Sequence, residues 1–416
     1  MRMTALSPRR TDLSPITEQL TLIESPGVQT RLNESEEQAL LGAVRQCQSL
    51  SIGGEGGPEN DAFEKDFTEL IGCADAVAVN SCSSALELAA ILSGIESGDE
   101  VIIPAHTFVA SAVPFGRTGA TIRWADIDPD TRLVSAQSVQ SLISPRTKLI
   151  VAVHLYGLPA DMDALVALAE QHRLMVVEDC AQAPGAKYKG RRVGSIGDFG
   201  AFSFQTAKNI QTLGEGGMLA VRDPNHARQA RRMRWMGNWP FEGEREKDWV
   251  PAGNNLVEPI PGRWPLNVCM NVPAAVVGRQ MLKRLDQINE QRRHQARRFV
   301  GAMKDYHELD FQHVPPHCEH AYHLMAARYA PQRPDAHRDD LIALMRHKYR
   351  VKLIVQYWPL YRSELFQSFG FGEAHTPEAD HYFDNMVSFP WWSDMSDSLL
   401  DDMADRTRRA LDELRS

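Results

Sequence analysis

Between Asp75 and Asp223 the chain alternates short apolar runs with segments of helical spacing, and that alternation constrains the fold more than any other feature. "DAVAVNS" reads as a strand and "SSALELAAILSGI" as a helix. "GDEVIIPA" is a short buried strand, and "FVASAVPFG" a short helix. "ATIRWADIDP" and "KLIVAVHLYG" are strands, followed by the helix "DMDALVALAEQHR" with Asp161 as its cap. "LMVVEDC", "FGAFSF" and "GMLAVRD" complete the series. Strands and helices in this rhythm form an α/β fold with a mainly parallel central sheet covered on both faces. Ligands of such sheets bind beyond the carboxyl ends of the strands.

The flanks are organised differently. Residues 1–30 read as an N-terminal arm, and "NESEEQALLGAVRQ" (Asn33–Gln46) as a capped helix. "SIGGEGGP" (Ser51–Pro58) is a flexible loop, and no GxGxxG follows a strand, so a dinucleotide site is not expected. A polar insert bounded by Trp235 and Trp264 precedes "AAVVGRQMLKRLDQINEQRRHQARRF". That stretch sets Val277, Met281, Leu285 and Ile288 on one stripe of a long amphipathic helix. The remainder mixes strands ("YHLMAARYA", "YRVKLIVQYW") with helices and ends in the helical "SLLDDMADRTRRALDELRS". A chain of 416 residues can bury more than one core. We expect a large domain over 31–280 and a smaller α+β domain over 281–416.

Composition excludes some functions. A formal charge of −9 disfavours a general nucleic-acid or anionic-membrane binder. Six scattered cysteines show neither a CxxC pair nor zinc-like spacing. Reduced thiols in a cytoplasmic protein are therefore expected, without a metal. The first residues lack the apolar stretch of a signal peptide, and no apolar run is long enough to span a bilayer.

The residues that carry chemistry fall at strand ends. Asp179 in "MVVEDCAQAPG" directly follows an apolar strand, with Gln182 three residues on. An acid there can equally cap a helix or pair with an arginine. In "VAVNSCSSALELAA" a helix begins at about Ser83, and helix N-termini attract phosphate, although serine also serves as a plain cap. Lys208 in "FSFQTAKNIQTLGEGG" lies between an aromatic run and a glycine cluster, where a lysine is usually solvated. Each signal is weak alone. Together they supply a phosphate seat, an aromatic (Phe108 in "PAHTFVASA"), a carboxylate and an amine, in the order that pyridoxal phosphate requires.

Four stretches then carry a specific resemblance: "GDEVIIPAHTFVASA", "VHLYGLPADMDAL", "VVEDCAQAPGAKYKGRRVGSIGDFGAFSF" and "KNIQTLGEGGM". The chain resembles the DegT/DnrJ/EryC1/StrS sugar aminotransferases, of the fold type I pyridoxal-phosphate enzymes, from about residue 33 to 222 and more thinly beyond. The resemblance implies that Lys208 is the Schiff-base lysine, and that Asp179 pairs with the ring nitrogen. Gln182 would lie by the phenolic oxygen and Phe108 on the ring face, with Ser83, Ser84 and Ser203 at the phosphate. Asn267 in "PLNVCM" resembles an asparagine that reaches the phosphate of the neighbouring subunit, which implies a homodimer with shared active sites. Val268 and Cys269 stand where that motif carries tyrosine and arginine.

The implied reaction is ping-pong transamination from glutamate or glutamine to a keto-sugar or keto-cyclitol. "SFQ" and "YWPLYRSELF" look closer to the aminocyclitol and aminohydroxybenzoate branch than to the nucleotide-sugar branch. His154, His323 and Tyr361, read on or beside strands, are further substrate-pocket candidates, although such residues are more often buried, hydrogen-bonded core. A deoxysugar dehydratase remains an alternative, but such relatives carry histidine in place of the lysine. A non-enzymatic regulator is the other, and it lacks a recognisable basic recognition helix.

Overall fold

The computed structural model describes residues 20–26, 32–46, 57–239, 249 and 255–415. Most of the expected arm over 1–30 and of the loop Ser51–Pro58 lies outside the described residues, as does the middle of the Trp235–Trp264 insert.

Among the described residues, nine strands precede the insert. They are β1 (Asp75–Val79), β2 (Glu100–Pro104), β3 (Thr121–Ala125), β4 (Thr147–Val153), β5 (Met175–Asp179), the two-residue pieces β6 (Lys187–Tyr188) and β7 (Arg191–Arg192), β8 (Phe199–Ser203) and β9 (Gly217–Val221). Seven form the central sheet, in the order β1-β9-β8-β5-β4-β2-β3. From β3 through β8 the neighbours are parallel, and β9 runs against both β8 and β1. All strands but β9 therefore end on one side of the sheet.

The pleat sends alternate residues to opposite faces, and both faces are covered. Val77, Val79, Phe199, Ala201, Leu219 and Val221 enter one apolar cluster with Leu86 and Leu88 of the helix Cys82–Leu92 and Leu165 of the helix Met162–His172. Their neighbours Ala76, Ala78, Phe202, Met218 and Ala220 enter another, with Phe63 and Phe67 of the helix Pro58–Ile71. Val277 and Met281 join that second cluster.

The expected long helix is two, Val272–Leu282 and Leu285–Ala302. Its apolar stripe is nonetheless buried as read, from Val277 through Ile288. The break falls at Arg284, whose guanidinium grips the Glu36 carboxylate, itself locked in a reciprocal cap with Asn33.

After a short hairpin of β10 (Asn238–Trp239) and β11 (Asn255–Leu256), the strands are β12 (Leu309–Phe311), β13 (Cys318–Glu319), β14 (Met325–Tyr329) and β15 (Met386–Phe389). β12, β14 and β15 make a separate antiparallel sheet, and Phe299, Phe389 and Trp391 lie in its own apolar cluster with Leu400 and Met403 of the helix Asp397–Arg415. "YRVKLIVQYW" is not the strand its apolar content suggests. Val351 bridges Ile23 and Ile354 bridges Ser388, so its backbone groups are shared between two partners and no ladder forms.

Candidate functional site

The carboxyl ends of β1, β2, β4, β5 and β8 and the segments after them line a cavity of about 400 Å³. That is within the range of a small-molecule site. Its wall includes Ser83, Phe108, Asp179, Gln182, Ser203, Lys208 and His323. Residues from separate stretches of the sequence thus meet in one place. Ser84, Asn267, His154 and Tyr361 do not line it.

Asp179 is the last residue of β5 and only 4 % exposed. Ser111 Oγ donates to one of its oxygens at 2.6 Å and the Ala181 N–H to the other at 3.0 Å. Thr107 Oγ1 sits 2.8 Å from Ser111 Oγ behind it. The adjacent Glu178 works as an anchor. Its carboxylate accepts from the N–H groups of Gly194, Ile196 and Gly197 and from His154 Nε2. Burial pushes this acid up, but His154 and the backbone N–H groups hold it below its usual range. His154 Nδ1 accepts from the Ala160 N–H, which fixes the proton on Nε2. His154 is thus a buried structural contact behind Asp179. His154, Glu178 and Cys180 also bring possible ligand atoms close together, but both Glu178 oxygens are already occupied by N–H donors.

Lys208 follows β8 on a turn closed by its own N–H to the Gln205 carbonyl at 2.8 Å. Burial pushes its ammonium below the usual lysine range, opposed by Cys82, Asp179 and Glu215. An amine so placed loses its proton more readily than a surface lysine.

The helix Cys82–Leu92 starts one residue before the position the sequence suggests, with Ser81 as its cap. Ser81 Oγ accepts from the Ser84 N–H at 3.1 Å, and the Ala85 N–H bonds the Ser81 carbonyl. The first-turn N–H groups of Cys82 and Ser83 are thereby left to face a ligand. Ser84 turns its hydroxyl back to Asn80 Oδ1 at 2.7 Å, away from the cavity. Close packing needs glycine here: a Cβ on Gly217 would come within 2.4 Å of the Ser81 carbonyl carbon.

Of the lining residues that the sequence does not single out, two bond directly to Asp179 and Gln182 through their side chains. Ser111 is one; its hydroxyl in "VASAV" carries no spacing signal toward Asp179. Tyr357 is the other. It meets the half-exposed Phe108 edge to face at 5.6 Å, and its hydroxyl lies 3.3 Å from Gln182 Nε2. Burial, and then the Asp179 charge, push its phenol up. Gln182 Oε1 accepts from the Tyr156 N–H at 2.8 Å, so its amide is held from both sides.

Tyr361 lies in the short turn Leu360–Arg362 rather than on a strand, bonded to Asp380. Asn267 is exposed and bridges Trp235, and the Asn80 N–H bonds the Val268 carbonyl beside it. Cys269, half-buried, contacts the Arg234 carbonyl at 3.5 Å. Trp264 is 91 % exposed.

The sheet order and the cavity at its strand ends define an α/β fold type I pyridoxal-phosphate transferase. Within that class the chain belongs to the DegT/DnrJ/EryC1/StrS aminotransferase family, which it matches over residues 34–408. It is 36% identical to the spore coat polysaccharide biosynthesis protein SpsC of Bacillus subtilis, covering 85% of this chain and 89% of that protein. It is 30% identical to a UDP-N-acetyl-3-dehydro-alpha-D-glucosamine 3-aminotransferase of Acidithiobacillus ferrooxidans, over 89% of this chain and 92% of the other. Among solved structures, an aminotransferase from Psychrobacter cryohalolentis superposes with a TM-score of 0.85 at 27% identity, over 95% of this chain and all of that one. The protein is a sugar aminotransferase of this family, and the family implies pyridoxal phosphate as cofactor. Among the described residues no helix is long and apolar enough to cross a membrane.

Proposed function

We propose that the protein moves an amino group from glutamate or glutamine to the ketone of a sugar or cyclitol, in two half-reactions, with pyridoxal phosphate between Lys208 and Asp179. One observation carries this reading: an amine and a carboxylate share a cavity at the ends of the neighbouring strands β8 and β5.

The residues fit the cofactor. Asp179 is buried and held by a hydroxyl and an amide N–H, and a protonated ring nitrogen would be the counter-ion such a charge needs. The first-turn N–H groups of Cys82 and Ser83, with the hydroxyls of Ser83 and Ser203, suit a phosphate. Ser84 steadies that turn through Asn80. Phe108 and Gln182 line the same cavity, where they would meet a ring face and the phenolic oxygen.

When bound, pyridoxal phosphate supplies an aldehyde that captures amines and a ring that takes up electrons from the adjacent carbon. Lys208 would be the amine that anchors it. As a free amine in the same cavity, Lys208 would take up and return the substrate proton, a task suited to its lowered affinity for protons. Asp179 would pair with the ring nitrogen, and Ser111 fixes the carboxylate that would do so. Asn267, outside its own cavity, is assigned to the partner's cofactor phosphate in a homodimer. The described cysteines are unpaired thiols, in keeping with a cytoplasmic setting.

A second reading concerns the acceptor. The 30% identical relative is named for a UDP-linked sugar, which favours a nucleotide-linked ketone over a free keto-cyclitol.

Absorbance tests both. The purified protein should show a visible yellow band that glutamate or glutamine bleaches; a band that neither donor bleaches contradicts amine transfer. The bleached protein is then offered nucleotide-linked keto-sugars, free keto-sugars and keto-cyclitols. The class that restores the band identifies the acceptor.

A further inference from the structure

His323 reaches the cavity wall from the segment before β14, and a chain of buried groups settles which of its ring nitrogens carries the proton. The chain begins at the Pro184 carbonyl, which can only accept. Asn289 Nδ2 donates to it at 2.8 Å, so the Asn289 oxygen points the other way. That oxygen accepts from Asn209 Nδ2 at 3.1 Å, and the same nitrogen donates to the Ala321 carbonyl at 2.9 Å. Neither amide can be flipped without setting oxygen against a carbonyl oxygen. Asn209 Oδ1 is therefore an acceptor, and His323 Nδ1, 3.3 Å away, must donate to it. A neutral imidazole has one N–H, so Nε2 keeps its lone pair. Burial, with the charges of Lys208 and Arg292, holds the ring neutral by pushing its pKa well below the ordinary histidine value.

The support behind the ring is rigid. Asn209, Asn289 and His323 are all buried. Gly185 makes room for the Asn289 amide, because a Cβ there would lie 2.8 Å from Nδ2. Arg292 donates to the Tyr322 carbonyl at 2.9 Å and the His323 carbonyl at 3.4 Å, which fixes the backbone. The ring lines the same cavity as Lys208.

We propose that His323 is a positioning residue for Lys208: its Nε2 accepts a hydrogen bond from the Lys208 amine when that amine is released as –NH2, and so orients the nitrogen lone pair that must take the substrate proton. A neutral acceptor suits this task, whereas an imidazolium would set a second cation beside the lysine. Among the described residues, Cys82, Asp179 and Glu215 also act on the Lys208 charge, Arg292 also acts on His323, and Tyr357 lines the same cavity. The inference rests on Lys208 being the cofactor-bearing amine, but its test leaves the cofactor out.

Two variants separate the ring nitrogens. His323→Asn keeps a donor near Nδ1 and loses the acceptor at Nε2; His323→Gln keeps an acceptor near Nε2 and gives up the Nδ1 contact. The readout is the pH midpoint of Lys208 reductive methylation in the cofactor-free, full-length protein, followed by peptide mass. An acceptor stabilises ammonium more than amine, so its loss in His323→Asn should lower the midpoint by about one pH unit. His323→Gln should stay with the wild type. Nitrogen-15 NMR of histidine-labelled wild-type protein needs no variant, and should show a protonated Nδ1 and a bare Nε2 at His323. An unmoved midpoint in a folded His323→Asn protein, or a proton on Nε2, overturns the proposal. If instead Lys208 takes no cofactor while midpoint and tautomer behave as expected, the hydrogen bond stands and the proposed function falls.

Discussion

Among single residues, two groups that water would normally claim decide what the cavity can do. Asp179 is buried, and Ser111 and the Ala181 N–H each satisfy one of its oxygens. Asp179→Asn preserves size and shape but removes the charge that would hold a ring proton. Single-turnover rates with the amino donor should fall by about a hundredfold or more, while the urea midpoint barely moves; an unchanged rate contradicts the assigned role. Lys208 and Asp179 were legible in the sequence because both sit at strand ends inside long motifs. Ser111, Tyr357 and the tautomer of His323 were not. Their partners are distant in the chain, and a hydroxyl or imidazole carries no periodicity that announces a partner.

At the scale of elements, the site depends on how closely β9 passes the start of the helix Cys82–Leu92. Gly217 is the point of closest approach, 2.4 Å from a Cβ position to the Ser81 carbonyl carbon. Gly217→Ala cannot be relieved by rotating a side chain, since the obstacle is backbone. We expect a loss of about 1–3 kcal/mol in urea denaturation, the usual cost of overpacking, together with weaker cofactor retention from the displaced helix start. Equal stability and retention would show that the two elements are less tightly coupled. Strand and helix positions in this region could be read from apolar spacing. The direction of β9 could not, because "GMLAVRD" has the same composition whichever way it runs. The split at Arg284 also escaped, since Val277, Met281, Leu285 and Ile288 keep one stripe across it. "YRVKLIVQYW" misled for the opposite reason: its apolar residues fill cores beside Ile23 and Ser388 without a paired ladder.

At the scale of the molecule, buried histidines set an acid limit. His106 and His320 are both held down to about 3 by burial, against an ordinary value of 6.5. Between those values the unfolded chain binds protons that the folded chain refuses. Stability from these groups is therefore complete above about pH 6.5 and is lost as pH falls toward 3. Each should cost on the order of 1 kcal/mol per pH unit in that window. Melting temperature should be level near neutrality and decline on the acid side, and His320→Gln should flatten that decline; an unchanged slope contradicts the assignment.

The most direct measurement joins all three scales. Protein supplied with pyridoxal phosphate is reduced with borohydride, digested, and its peptides are weighed. The role of Lys208 as the cofactor-bearing amine predicts one pyridoxyl group on its peptide, and none in Lys208→Ala, whose turnover should be lost by several orders of magnitude. A pyridoxyl group on another lysine, or an undiminished adduct in Lys208→Ala, would contradict it.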